Sequence, residues 1–305
     1  MGLEGSSREA FKTKIKRDRT LHSCYPHPSF PTISITGDSC VLNCKHCSHH
    51  YLRGMISCGT PDKLNETFAS LASDGTRGVL LSGGDNKEGY VPFEPFLESI
   101  GEVKRQTGLF ISAHTGLVPK WLGLKMGKAG IDLADFDLIG DDETIELVLG
   151  INKKVKDYQR AMMVLNRFLP YVIPHICVGL HAGEIRGELK ALDMASKLAP
   201  PIIVLLVLNP TSGTKFENLN PPSIKDFEKV AIEARMKFPE VELALGCMRP
   251  RGSERQKIEL AALRAGFDRI ELPSKLTIKT AREMGLRVKN LFSCCAVPSE
   301  VIKGW

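Results

Sequence analysis

The 305-residue chain has no apolar run long enough to cross a membrane; its longest, Ile202 to Leu208, falls far short of the ~20 residues a spanning helix needs. The polar, basic N-terminus lacks the apolar core of a signal peptide, so the expectation is a cytoplasmic protein with no membrane partner. No segment is rich enough in Pro, Gly or Ser to act as a linker between domains. Nine cysteines, an odd number in a large chain without a secretory segment, argue against a disulfide framework and for metal binding. The charge excess is mild, 41 basic against 35 acidic residues, and concentrates only at Lys12, Lys14, Lys16, Arg17 and Arg19. That arm reads either as a solvated segment or as a docking patch for an acidic partner; without interleaved aromatics, nucleic acid is the weaker choice.

What is present is an ordinary soluble composition, 43% hydrophobic and 25% charged, arranged as a repeated alternation of strand and helix. Residues 1–31 read as an irregular basic and proline-rich extension. Thr32 to Thr36 alternates as a first strand, and Thr60-Pro-Asp opens a helix with a capping hydroxyl and proline in its first turn. Further strands are expected at Gly78–Leu81, Leu109–Ala113, Asp132–Leu138, Val172–Val178, Ile202–Leu208, Val241–Leu245 and Arg269–Leu272, with helical periodicity between them. Eight strands at βα spacing predict an α/β fold of the (β/α)8 TIM type, complete or slightly open, over residues 32–285. A doubly wound open sheet is the alternative. Residues 286–305 form a tail carrying cysteines.

The chemistry begins at Cys40-Val-Leu-Asn-Cys44-Lys-His-Cys47, directly after the first strand. A loop this tight can aim three sulfurs at one point, and three thiolates serve three irons of a cubane cluster, leaving the fourth iron open for chemistry. A structural zinc site is the competing reading; it wants a fourth protein ligand, for which His49 or His50 is at hand.

C-x3-C-x2-C resembles the cluster loop of the radical S-adenosylmethionine (SAM) superfamily, with His46 where a ring usually precedes the last cysteine. The resemblance implies that SAM chelates the open iron of a [4Fe-4S] cluster and is reductively split to a 5′-deoxyadenosyl radical, with Cys40, Cys44 and Cys47 as the catalytic cluster ligands and an electron donor as partner. It also implies cofactor contacts at strand ends. Gly83-Gly84-Asp85 is similar to the superfamily's Gly-Gly-Glu segment, with a shorter carboxylate. His114 and Asp137, ending two strands, are candidates for the ribose hydroxyls or the methionine carboxylate. Gly183-x-Ile185-Arg186-Gly187 resembles the adenine-contacting segment, its trailing acid displaced to Glu188, and Pro210-Thr-Ser-Gly-Thr214 looks like an element of sulfur-inserting members.

Outside the motif, Cys58 and Cys177 read as small packing residues and Cys24 is ambiguous. Cys247, Cys294 and Cys295 are candidates for a second, auxiliary [4Fe-4S] cluster, with a fourth ligand from Cys24, Ser293, Ser299, Arg249 or a small molecule; adjacent cysteines seldom bridge each other. Pro28 to Gly37, Cys247-Met-Arg-Pro-Arg-Gly252 and Cys294-Cys-Ala296 further resemble a component of the two-protein lipoyl synthases, which are related to biotin synthase. That implies sulfur insertion into an octanoyl chain on a small acidic carrier, with a second radical SAM component as partner. Another radical SAM enzyme (biotin-synthase-like, a methylase or a mutase) and, more distantly, a non-catalytic iron–sulfur or zinc scaffold remain as alternatives.

Overall fold

The computed structural model describes residues 2–305. Its strands are β1 Thr20–Cys24, β2 Thr32–Ser34, β3 Ile56–Ser57, β4 Gly78–Ser82, β5 Phe110–His114, β6 Leu133–Asp137, β7 Tyr171–Val178, β8 Ile202–Val207, β9 Glu242–Leu245, β10 Arg269–Glu271 and β11 Arg287–Leu291. The helices are α1 Leu3–Arg17, α2 Pro61–Ser73, α3 Leu97–Thr107, α4 Lys120–Lys128, the single turn α5 Asp142–Thr144 that runs on as a π-helical turn Ile145–Leu149, α6 Val155–Phe168, α7 Glu188–Ala195, α8 Ile224–Lys237, α9 Gly252–Arg264, α10 Lys275–Glu283 and α11 Ser299–Lys303. All strand pairs are parallel, in the order β11-β1-β10-β9-β8-β7-β6-β5-β4-β2-β3.

The eight expected strands are β2 and β4 to β10, side by side. They do not close into a (β/α)8 ring. The free edge of β10 pairs with β1, and the free edge of β2 pairs with β3, so the edges that would have to meet are already occupied. The result is an open half-barrel of eleven strands. Both expected extensions contribute to it. Residues 1–31 hold α1 and β1 rather than irregular chain, and residues 286–305 hold the edge strand β11 and α11.

Helices cover the outer face of the sheet through a continuous aliphatic core, in which Ile111, Leu165, Ile176 and Phe227 are buried. The inner face is sealed at its lower end by a second cluster. There Phe30, Phe110, Leu133 and Ile173 meet Trp305, whose ring lies 6.1 Å from Phe110 and 6.4 Å from Phe30. The tail reaches that position because the buried Arg269 guanidinium donates to the carbonyls of Cys295 (3.1 Å) and Val297 (2.6 Å) and to Ser299 Oγ (2.8 Å), while pairing with Glu242 (2.6 Å).

The basic arm is also internal in part. Lys14 Nζ lies 2.6 Å from Asp268 Oδ1, Arg17 bonds the same oxygen, and Arg235 holds Oδ2 at 2.5 Å. Asp268 immediately precedes β10, so this cluster sits at the N-terminal edge of the sheet, opposite the end where βα loops gather. Of the basic arm, Lys14 and Arg17 are thus committed within the protein, while Lys12, Lys16 and Arg19 stay exposed.

Two carboxylates bonded to buried arginines give the fold an acid limit. Burial opposes ionisation of Glu242, yet Arg269 and Ser299 hold its carboxyl down to about 2. Glu259 is likewise held to about 2, against its burial, by bonds from Thr277, Arg249, Arg255 and the Ser274 amide. Both values lie below the ordinary value of about 4.3. Their stabilisation is therefore complete above that pH and lost as pH falls towards 2, on the order of 3 kcal/mol per carboxylate. Denaturation followed from pH 5 to 2 should show this loss, and Glu242→Gln should flatten the slope; an unchanged slope would remove Glu242 from the account.

Candidate active site

The three-cysteine loop leaves the C-terminal end of β2 and is pinned from several sides. Thr36 Oγ1 accepts from the Gly84 amide (2.7 Å) and donates to the Ser39 carbonyl (2.8 Å). The Val41 amide donates to the Asp85 carbonyl (2.9 Å), and the Lys45 amide to the Val148 carbonyl on the π-helical turn (2.9 Å). Such turns are frequent at functional sites. Cys44 O accepts from the amides of Cys47 (3.1 Å) and Ser48 (3.0 Å), and the chain then passes through left-handed backbone at Ser48 (φ 43°) and His49 (φ 63°). Gly84 fits beneath because it has no side chain: a Cβ there would lie 2.1 Å from Ser39 O and 2.4 Å from Cys40 Cα.

Burial first, then the charges of Cys47, Asp85 and Cys40, pushes the Cys44 thiol up to about 12, and burial raises Cys40 and Cys47 as well. Three thiolates here would repel one another, and a bound cationic centre would supply compensation. His49 Nε2 is bonded to the loop's own Leu42 carbonyl (2.9 Å), which leaves Nδ1 as its other donor atom, and exposed His50 packs edge-on against Tyr51.

Beside the trio stand the other expected residues. Burial, then the charge of Asp137, raises Asp85 to about 7, and burial lowers His46 to about 4, so that ring is neutral at pH 7. His46 Nδ1 is buried with no protein partner. Gly83 packs over Thr36. His114 and Asp137 end adjacent strands with Nδ1 and Oδ2 4.0 Å apart. Arg186 borders a narrow crevice with Gly140, Cys177, Gly187 and Glu188, but its guanidinium is paired with Asp141 (3.1 Å) and Glu143, so its charge is already matched within the protein. Gly140 and Gly187 meet backbone to backbone in that crevice; a Cβ on Gly140 would lie 2.1 Å from Gly187 O. Glu188 Oε1 accepts from the Gly179 amide (2.8 Å), while its buried Oε2 has no protein partner.

Deeper in the half-barrel lies a polar set absent from the sequence reading. Ser112 donates to Asp135, and Asp135 Oδ1 faces His175 Nε2 at 3.7 Å. The His175 ring lies 5.7 Å from that of His114. Burial raises Asp135 to about 6. The available signal was alternation of polar residues at strand ends, Ser112/His114, Asp135/Asp137 and His175/Cys177, which places each pair on the inner face.

The second thiol set gathers across the interior. Cys24 stands in register with Glu271 on the neighbouring strand, so both side chains share a face. The donor atoms of Glu271, Cys294 and Cys295 lie within 4.8 Å of one another, and Cys247, exposed in the loop after β9, feels the charges of Glu271 and Cys294. Burial raises Glu271, against hydrogen bonds from the Cys295 thiol and amide and the nearby charges of Arg249 and His175. Three expected fourth ligands are otherwise engaged. Arg249 is buried against Glu259 (2.7 Å), Ser299 bonds Arg269 and Glu242, and Ser293 donates to the Cys294 carbonyl (3.2 Å). Cys58 packs in the core beside Thr67, whereas Cys177 borders the crevice instead of being enclosed.

No protein-family model matches this sequence, and no curated protein matches it. Solved structures do. Methylornithine synthase (PylB) superposes with a TM-score of 0.64 at 17% identity, over 94% of this chain and 89% of that one. HydG, a maturase of the [FeFe]-hydrogenase, superposes at 0.69 and 16% identity, over 94% and 68%. HydG from Carboxydothermus hydrogenoformans gives 0.67 and 14%, over 94% and 72%. The chain shares their fold. Among the described residues no helix is long and apolar enough to cross a membrane.

Proposed function

We propose that this protein is a radical SAM enzyme that inserts sulfur into an octanoyl chain carried on a lipoyl domain. The observation that carries the reading is the pair of thiol sets in one half-barrel, linked by a line of polar side chains. Cys40, Cys44 and Cys47 lie beside His46 and Asp85, both under the charge of Asp137; His114, His175 and Glu271 continue the line to Cys295. The trio would hold a [4Fe-4S] cluster, and the orphaned His46 Nδ1 and the close-packed Gly84 suit SAM beside it. Cluster and SAM together supply a primary carbon radical, able to take hydrogen from a carbon with no acidic proton. The chain's own residues bind and orient: Thr36 fixes the loop against Gly84, and Asp137 places its carboxylate beside His114. The second thiol set would hold the auxiliary cluster that donates sulfur.

The carrier would meet the protein at the mouth, not at α1. An open cavity of about 690 Å³ there is lined by His50, Tyr51, Arg53, Asn209, Thr211 and Arg251. Arg53 and Arg251 are exposed and form no ion pair among the described residues, which suits an acidic partner. A second reading is favoured by the interior itself: Asp135, His175 and Ser112 would recognise a small polar substrate, as in a mutase or methylase of the same chemistry.

The test uses the reconstituted chain with reductant, SAM and an octanoyl-lysyl peptide flanked by acidic residues, deuterated at carbons six and eight, with and without a second component. Deuterium should appear in 5′-deoxyadenosine, and Arg53→Glu with Arg251→Glu should raise KM about tenfold with little change in kcat. No transfer from the octanoyl peptide, or transfer only from dethiobiotin, would retire the lipoyl assignment.

A further inference from the structure

Buried carboxylates are paired with cations or coordinate metals. Asp268, Glu242 and Glu259 follow the first rule, each bonded to buried or half-buried arginines. Glu271 does not. It is 6% exposed; its carboxylate accepts from the thiol and amide of Cys295 and feels the charge of Arg249, but among the described residues no lysine or arginine forms an ion pair with it. The nearby Arg249 donates instead to the Glu271 main-chain carbonyl (2.6 Å) and to the carboxylate of Glu259. Its carboxylate oxygen lies within 4.8 Å of both Cys294 and Cys295 sulfurs.

We propose that Glu271 is itself a metal ligand, the one oxygen donor beside Cys247, Cys294 and Cys295 in the second thiol set. The proposal deepens the reading above and rests on a metal–sulfur group being bound there, but not on the octanoyl substrate. Two buried guanidiniums preorganise the site. Arg249 ties the carbonyl of Gly246, next to Cys247, to the carbonyl of Glu271. Arg269 holds the carbonyls of Cys295 and Val297. Neither uses a side chain from the donor set, so four donors from three separate loops and strands are positioned through their backbone. An oxygen donor binds iron less tightly than thiolate, so the iron on Glu271 would be the distinct one of its cube.

The experiment uses the full chain with alanine at Cys40, Cys44 and Cys47, reconstituted anaerobically with iron and sulfide so that only the second site reports. Iron content, Mössbauer and EPR spectra are compared for Glu271, Glu271→Gln and Glu271→Cys. With Glu271 as ligand, Glu271→Gln loses about one iron in four and yields a three-iron EPR signal, while Glu271→Cys keeps the iron with a more negative reduction potential. Parent-like iron and Mössbauer spectra in Glu271→Gln overturn the proposal. Should the amide variant fail to fold, a Glu271→Cys protein with unchanged spectra and potential overturns it equally. If the site takes zinc in place of iron, sulfur insertion fails as a reading, and X-ray absorption decides Glu271 separately. Loss of an oxygen scatterer in the Gln variant supports its role, and retention overturns it.

Discussion

Alanine at Cys40, Cys44 and Cys47 should take the reconstituted protein from about eight irons to about four and reduce SAM cleavage to the level of a protein-free control. The size of the effect follows from the geometry. In the proposed arrangement each thiolate serves its own iron, so the triple variant leaves the loop without a single cysteine ligand. The loop itself should survive, because its anchors are main-chain bonds to Asp85, Val148 and Thr36 rather than contacts of the sulfurs. Circular dichroism should therefore be unchanged while iron content and 5′-deoxyadenosine fall together. A triple variant that still cleaves SAM at the parent rate would remove the trio from the chemistry altogether.

Asp268→Asn should cost about 3–5 kcal/mol of stability, the largest loss expected from one neutralised side chain. Its carboxylate is 2% exposed and answers three cations, of which Lys14 is 1% and Arg235 0% exposed. It also accepts from the Leu243 amide at 2.8 Å. Removing the charge leaves buried ammonium and guanidinium groups without a partner, and these cannot reach water without displacing α1 from α8 and α9. Lys14→Met should restore part of the loss in the double variant, since it withdraws one of the stranded charges. Urea denaturation of the four proteins measures the cycle; a loss below about 1 kcal/mol in Asp268→Asn would show that the cluster is not a keystone of the N-terminal edge.

The strands β2 and β4 to β10 were legible because each is short, bounded by turn residues and, in most, carries an apolar run; Ile202 to Leu208 reads as a doubly covered parallel strand and is one. The strands missed have the opposite character. β1 carries His22 and Ser23 inside a region that begins with a basic helix, and β11, Arg287-Val-Lys-Asn-Leu, looks like surface chain because it is an edge. With them went barrel closure, which depends on what occupies two edges and leaves no trace in local pattern. The site divides the same way. Cys40, Cys44 and Cys47 are neighbours in sequence, so spacing alone reveals them. Glu271 is one acid in a short strand until topology sets it beside Cys24 and Cys295. Lys14 and Arg17 looked solvated for the same reason: their partner is some 250 residues away.

The openness of the sheet carries a hazard that a closed ring would not have. β11 and β3 each present one unpaired row of backbone donors and acceptors, a template on which another copy could add strands without limit. The two rims are blunted differently. β3 is two residues long, too short to register a partner. β11 is longer, but turns Arg287 and Lys289 to solvent, where a second copy laid alongside would bring like charges together. Arg287 and Lys289 thus guard the longer rim, and valine at both positions should favour edge-to-edge growth of the sheet.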